Sequence, residues 1–89
     1  MSEANENSRL DKWLFHARFC RSRTGAQDIT AAGKVRLNGT RIQKPGHLVR
    51  PGDVLTLALG GTVRVVKVVA LPERRASTQK ARNLYETMD

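Results

Sequence analysis

The chain has little of what most functional classes need. It carries one cysteine, Cys20, in 89 residues, so no intramolecular disulfide and no cysteine-based metal site can be assembled. Aromatic residues are only 4% of the chain, so the core must be built from Val, Leu, Ile and Ala, and a large enclosed ligand pocket is not expected. No stretch approaches the roughly 20 consecutive apolar residues of a membrane span, and Met1–Leu10 lacks the basic start and apolar run of a signal peptide. These absences suggest a soluble, cytoplasmic protein. Acids are also scarce: no carboxylate pair, Ser-His-Asp set or nucleotide-binding loop can be argued, so an enzyme is not expected. His16 and His47 lie far apart in sequence without a third ligand, and neither metal nor cofactor is anticipated.

What the chain has is positive charge. Sixteen Lys and Arg against eight Asp and Glu give a net +8, a balance typical of domains that bind nucleic acid. Residues 9–50 hold ten of the basic residues and only Asp11 and Asp28 as acids, whereas residues 1–8 hold Glu3 and Glu6 and no base. The excess is one continuous stretch that a polyanion could meet as a single face.

The length allows one domain. Residues 1–8 are polar and acidic and read as a disordered tag, residues 9–70 as the domain, and residues 71–89 as a charged tail that is partly helical at most. Ser8 and Asp11 are spaced like a capping arrangement, after which Leu10, Trp13, Leu14 and Ala17 recur at helical spacing through Cys20. Ser22, or else Thr24, caps a second helix marked by Ala26 and Ile29 and closed by Gly33. From Lys34 the period becomes two: Val35 and Leu37 face one way, Asn38-Gly39 is a tight turn, and Arg41-Ile42 return. Residues 43–47 read as a loop and Arg50-Pro51-Gly52-Asp53 as a turn. Val54–Leu59, Gly60-Gly61 and the valines from Val63 to Val69 then form a hairpin. The fold class is α+β, two packed helices against a small, mainly antiparallel sheet of four to five strands.

Four strings in this order, Arg9-Leu10-Asp11-Lys12-Trp13-Leu14, Ser22-Arg23, Gly33-Lys34-Val35-Arg36-Leu37-Asn38-Gly39 and Pro51-Gly52-Asp53, resemble the RNA-binding domain named after ribosomal small-subunit protein four. That resemblance spans about residues 9–69 and implies an alpha-L motif, two helices with the first strands curling past them. Trp13, Ala17-Arg18-Phe19, Glu73-Arg74-Arg75-Ala76-Ser77 and Leu84-Tyr85-Glu86 are similar to the ribosome-associated heat-shock proteins of about fifteen kilodaltons. The family implies binding to large-subunit ribosomal RNA and the ribosome, and action on subunits that carry a stalled nascent chain after heat stress. Its members continue into a long basic extension, whose contacts are here absent or taken over by Arg74, Arg75, Lys80 and Arg82.

The expected RNA surface is Arg9, Lys12, Arg18, Arg21, Ser22, Arg23, Thr24, Lys34, Arg36 and Asn38, gathered where the first helix ends, the second begins and the first strand opens. A helix N-terminus offers unpaired amides and a positive dipole end to a phosphate, and arginine forks bridge phosphate oxygens or stack on a splayed base. Several residues also have a plain structural reading. Asn38 fits a left-handed turn position, Arg9 pairs with Asp11, Asp11 steadies the first helical turn, Trp13 packs in the core, Cys20 is a buried structural thiol, and Arg64 and Lys67 face solvent. The Arg-Leu-Asp string is shared with pseudouridine synthases, whose Asp sits in a separate catalytic domain too large for this chain. RNA is the expected partner of a monomeric protein, with DNA a weaker partner and no membrane. The alternative is a stand-alone targeting module for a pseudouridine synthase or methyltransferase acting in trans; a general binder of anionic membrane surfaces lacks apolar anchors on the basic face.

Overall fold

The structure, a computed structural model, describes residues 7–88. The acidic tag expected over residues 1–8 therefore lies mostly outside the described residues. Ser8 does not: Ser8–Arg9 form a short strand, β1, directly before helix α1 (Leu10–His16). Helix α2 (Arg23–Ala31) follows, then strands β2 (Val35–Leu37), β3 (Thr40–Ile42), β4 (Leu48–Val49), β5 (Val54–Leu59) and β6 (Thr62–Val68). One turn of helix, α3 (Thr78–Ala81), a 3-10 turn over Arg82–Leu84 and strand β7 (Tyr85–Thr87) complete the chain.

The main sheet is antiparallel, in the order β3-β2-β5-β6-β7, and β1 pairs with β4 in a separate two-stranded ribbon. One face of the sheet carries Val35, Leu55, Leu57, Val66 and Val68, which pack against Leu10, Trp13, Leu14 and Ala26 of the helices and Val49 of β4. These side chains are essentially inaccessible, so burial of small aliphatic groups provides the main stabilisation. Trp13 belongs to this core, as its place on an amphipathic helix suggested, and its indole N–H donates to the carbonyl of Ala70 at 2.9 Å.

The turn chemistry follows the sequence. Gly60 and Gly61 both take positive φ, 55° and 83°, as a two-residue turn matched to strand twist requires. Gly33 (φ 80°) ends α2: its N–H donates to the carbonyl of Thr30 and that of Lys34 to Ile29, a Schellman pair. Ser22 is the N-cap, its hydroxyl accepting from the N–H of Gly25.

Helix α1 departs from the expectation at both ends. Its N-cap is Arg9, not Ser8, and no side chain caps it; the carbonyls of His47 and Pro45 instead accept from the N–H groups of Leu10 and Asp11. The helix stops at His16 rather than Cys20. Arg18 adopts φ 66°, the N–H of Phe19 donates to Leu14 and that of Arg18 to Phe15, so the helix closes in a Schellman motif with arginine where glycine is usual.

The C-terminal segment adds a strand that sequence reading did not anticipate. Strand β7 pairs with β6 as Val66 to Thr87, Lys67 to Glu86 and Val68 to Tyr85. Tyr85 closes an aromatic cluster, 4.6 Å from the ring of Phe19, which stacks on Trp13 at 5.7 Å. Arg64, expected to face solvent, lies opposite core residue Leu57 and sits over the rings of Phe19 and Tyr85. The bulge-free register places it on the helix-facing side, where its guanidinium gains cation–π contacts at the rim. Among the described residues no helix is long and apolar enough to cross a membrane.

Candidate nucleic-acid interface

Asp11 organises the basic surface. Its side chain is wholly buried, yet it accepts from Arg9 Nε (3.1 Å) and Nη2 (3.0 Å), Gln27 Nε2 (2.9 Å), the N–H of Lys12 (2.7 Å) and, more distantly, Arg23 Nη2 (3.4 Å). Burial pushes this carboxyl pKa up, but the donors from Arg9 and Gln27, the charge of Arg23 and the Lys12 amide outweigh it and bring the pKa down from 3.8 to about 2. The carboxylate is thus a fixed negative pivot. It joins the start of α1 to the first turns of α2, and the Arg9 and Arg23 side chains remain 50% and 44% exposed. Both arginines are held in place while still presenting charge to solvent.

Around this pivot the structure collects Arg9, Lys12 and Arg23, with Ser22 and Thr24 exposed at the N-terminus of α2. The Ser22 hydroxyl occupies the amide of Gly25, and the amides of Arg23 and Thr24 lie in the first turn, where no intrahelical acceptor exists. Arg21, exposed, precedes the cap. Arg18 is directed differently: its Nε donates to the carbonyl of Ala76 at 2.6 Å, tying the end of α1 to the C-terminal segment.

Arg75 reinforces that tie. It donates to the carbonyls of Phe15 (Nε, 3.1 Å) and Cys20 (Nη2, 3.1 Å) and stacks over Phe15 at 4.5 Å. His16 is nearly buried beneath these groups. Burial lowers its pKa, the charges of Lys12, Arg23 and Arg75 lower it further, and a hydrogen bond to the backbone of Pro72 opposes them in part. Burial also raises the thiol pKa of Cys20, which leaves no activated nucleophile there. No group of three or more metal-binding side chains occurs among the described residues.

The remaining expected site residues lie elsewhere. Lys34 and Arg36 follow the C-terminus of α2, and nine helical residues place them about 14 Å along the helix axis from Ser22. The expected single edge is therefore two basic regions at opposite ends of α2. Asn38 sits in the turn with φ 51°; its Oδ1 accepts from the N–H of Val54 and its Nδ2 donates to Asp53. Its side chain is thus engaged in fixing the β2–β3 turn against β5.

Sequence reasoning missed Gln27 and Arg41, and it named Arg75 only as a stand-in for the family's extension, not as the tie to Phe15 and Cys20. Gln27 carries no local signal. Arg41 was recoverable, because a two-residue turn at Asn38-Gly39 forces it opposite Arg36.

A two-helix corner with a charged pivot, laid across a curled antiparallel sheet, defines an alpha-L module. The S4 domain model matches residues 8–55, and the chain belongs to that family. It is 41% identical over 85 residues to the heat shock protein 15 homolog of Aeromonas salmonicida, a match that covers 96% of this chain and 64% of that protein. To heat shock protein 15 of Escherichia coli K12 it is 44% identical over 78 residues, 88% of this chain and 58% of that protein. The chain thus spans about three fifths of the length of these two relatives. It is 34% identical over 77 residues to the RQC P-site tRNA stabilizing factor of Bacillus subtilis, 86% of this chain and 87% of that protein. Among solved structures, trimeric heat shock protein 15 of Vibrio cholerae superimposes with a TM-score of 0.87 at 35% identity, over 93% of this chain and 83% of that one.

Proposed function

We propose that this chain is a non-catalytic, cytoplasmic RNA-binding protein that docks on ribosomal RNA of the large ribosomal subunit and acts there as a stress factor on subunits carrying a stalled nascent chain. The observation that carries the reading is the Asp11 pivot, which fixes Arg9 and Arg23 beside the open N-terminus of α2. Phosphate oxygens reach that terminus through the first-turn amides, the Ser22 and Thr24 hydroxyls and the forks of Arg21 and Arg23. Lys12 and Arg18 extend the charged footprint.

All four aromatic residues are engaged in packing: Trp13, Phe19 and Tyr85 with one another and Phe15 under Arg75. None of these four rings is left to stack on a base, so recognition runs mainly through phosphate position and RNA shape. The names of the relatives, heat shock proteins and a P-site tRNA stabilizing factor, support the ribosomal and stress assignment.

The test is sedimentation of tagged protein through sucrose gradients with and without heat stress, comparing wild type with Arg21→Ala/Arg23→Ala. Wild type comigrates with free large subunits; the double variant, less stable by the lost Arg23–Asp11 contact but still folded by circular dichroism, stays at the top. Migration of the wild type with neither subunit refutes the assignment.

A further inference from the structure

The sheet face turned away from the helices carries a second basic feature that the Asp11-centred surface does not use. The register places Arg41 of β3, Arg36 of β2, Thr56 of β5 and Val65 of β6 in one row across four strands. The next row brings Ala58 opposite Val63, with the N–H of Ala58 donating to the carbonyl of Lys34. Between these rows lies an open trough of about 460 Å³, lined by Lys34, Arg36, Thr56, Ala58, Val63 and the backbone of Gly33.

Two features of this trough are unfavourable for the isolated protein. Arg36 and Arg41 stand directly opposite each other, an arrangement of like charges that destabilises a strand pair. Among the described residues neither they nor Lys34 form an ion pair with a carboxylate. Beside them Val63 is 59% exposed, on a shelf shared with Ala58. The Arg41 stem crosses Gly33, where an added Cβ would lie 3.3 Å from Arg41 Cδ, so Arg41 is drawn toward the trough wall at which Lys34 begins. An anion laid over the row relieves the Arg36–Arg41 repulsion, and an elongated anion with an apolar portion also covers the shelf.

We propose that this outer sheet face is a second RNA subsite, which takes one single-stranded ribose-phosphate segment. The phosphate lies across Lys34, Arg36 and Arg41, the Thr56 hydroxyl bonds a sugar or phosphate oxygen, and the nucleoside rests against Ala58 and Val63. The occupant is argued from charge: three cations without a carboxylate partner fit a polyanion, and the small non-aromatic shelf fits a sugar edge better than a stacked base. The proposal rests on the RNA-binding reading above but assigns it a separate surface, about one helix length from Ser22.

The experiment follows backbone amide resonances of the full chain during titration with a short single-stranded oligouridylate, for wild type, Val63→Glu and Arg36→Gln/Arg41→Gln. In the wild type, amides of Thr56, Ala58 and Val63 shift together with those of Arg23 and Thr24. Val63→Glu, which sets a carboxylate on the shelf, abolishes the first group of shifts and keeps the second. The arginine double variant melts at or above the wild-type temperature, since it removes a repulsion, and its plot of log affinity against log salt is shallower by about 0.7 for each phosphate no longer neutralised. Shifts at Arg23 and Thr24 with none at Thr56, Ala58 and Val63 overturn the subsite and leave the helix-face reading standing. No shift anywhere likewise overturns the subsite alone, because the helix-face reading concerns folded RNA and is tested by the gradients above.

Discussion

A carboxylate in the first turn of a helix favours the dipole by up to about 1 kcal/mol. Asp11 goes further, because its burial and its bonds to Arg9, Gln27 and the distant Arg23 make it a tertiary tie between two helices. Since its folded pKa of about 2 lies below the ordinary 3.8, the ionised form is favoured by folding. Its contribution is therefore complete above about pH 5 and is lost as the pH falls through the folded pKa, amounting to about 2 kcal/mol. Asp11→Asn should be less stable than wild type at neutral pH by about that amount, roughly 10 °C in melting temperature for a chain of this size. Between pH 4 and 2 the gap should narrow, because wild type loses what the variant never had. Urea unfolding followed across that range measures it, and parallel pH profiles for the two proteins would refute the role. His16 acts with the same sign at higher pH. Its lowered pKa means the native state holds it neutral, so stability is lost as the pH drops below 6.5, and His16→Gln should flatten that part of the profile.

At the scale of elements, the ends of α1 and α2 show what local sequence can and cannot specify. Gly33 and Asn38-Gly39 are legible because their backbone angles belong to the residue type. Arg18 is not, since nothing in Ala17-Arg18-Phe19 requires a left-handed arginine; that conformation depends on Ala76, 58 residues away, accepting from Arg18 Nε. Strands β1 and β7 are invisible for the same reason, being two and three residues long and defined by partners far along the chain. The candidate surface divides likewise. The basic residues can be read off, but their separation into two regions depends on the direction of α2. Arg18→Gly separates the effects: relief of the left-handed strain, on the order of 1 kcal/mol, offsets the removal of a hydrogen bond of similar size. The variant should melt within a few degrees of wild type and bind RNA more weakly. Calorimetry with a parallel binding assay checks both, and an unchanged affinity would remove Arg18 from the footprint. Ser22→Ala instead removes a helix cap, with an expected loss of about 1 kcal/mol readable in the same melts.

For the whole molecule, charge and fold supply different things. The net charge of +8 would serve any polyanion; the fold shapes it by committing two of its arginines to one buried carboxylate and packing the Trp, Phe and Tyr rings inside or under a guanidinium. What remains exposed is a set of arginines and hydroxyls suited to phosphate, and by the reading proposed above such a surface should depend strongly on salt and weakly on sequence. If Arg9, Lys12, Arg18, Arg21 and Arg23 each meet a phosphate of one folded RNA, log affinity should fall against log salt with a slope of about −4. Raising salt from about 50 to about 200 mM would then weaken binding by roughly two orders of magnitude, by that same relation. Arg21→Ala/Arg23→Ala should reduce the slope by about 2; loss of the exposed Arg21 leaves stability nearly unchanged, while loss of Arg23 from the buried Asp11 carboxylate lowers the melting temperature by a few degrees. Scrambling the RNA sequence with its secondary structure retained should alter affinity far less than unfolding it. Filter binding at several salt concentrations with the folded, scrambled and unfolded RNAs distinguishes these outcomes. A flat salt response would mean that RNA does not bind through the charged surface, and a large penalty for the scrambled RNA would mean that the arginines read bases rather than phosphate position.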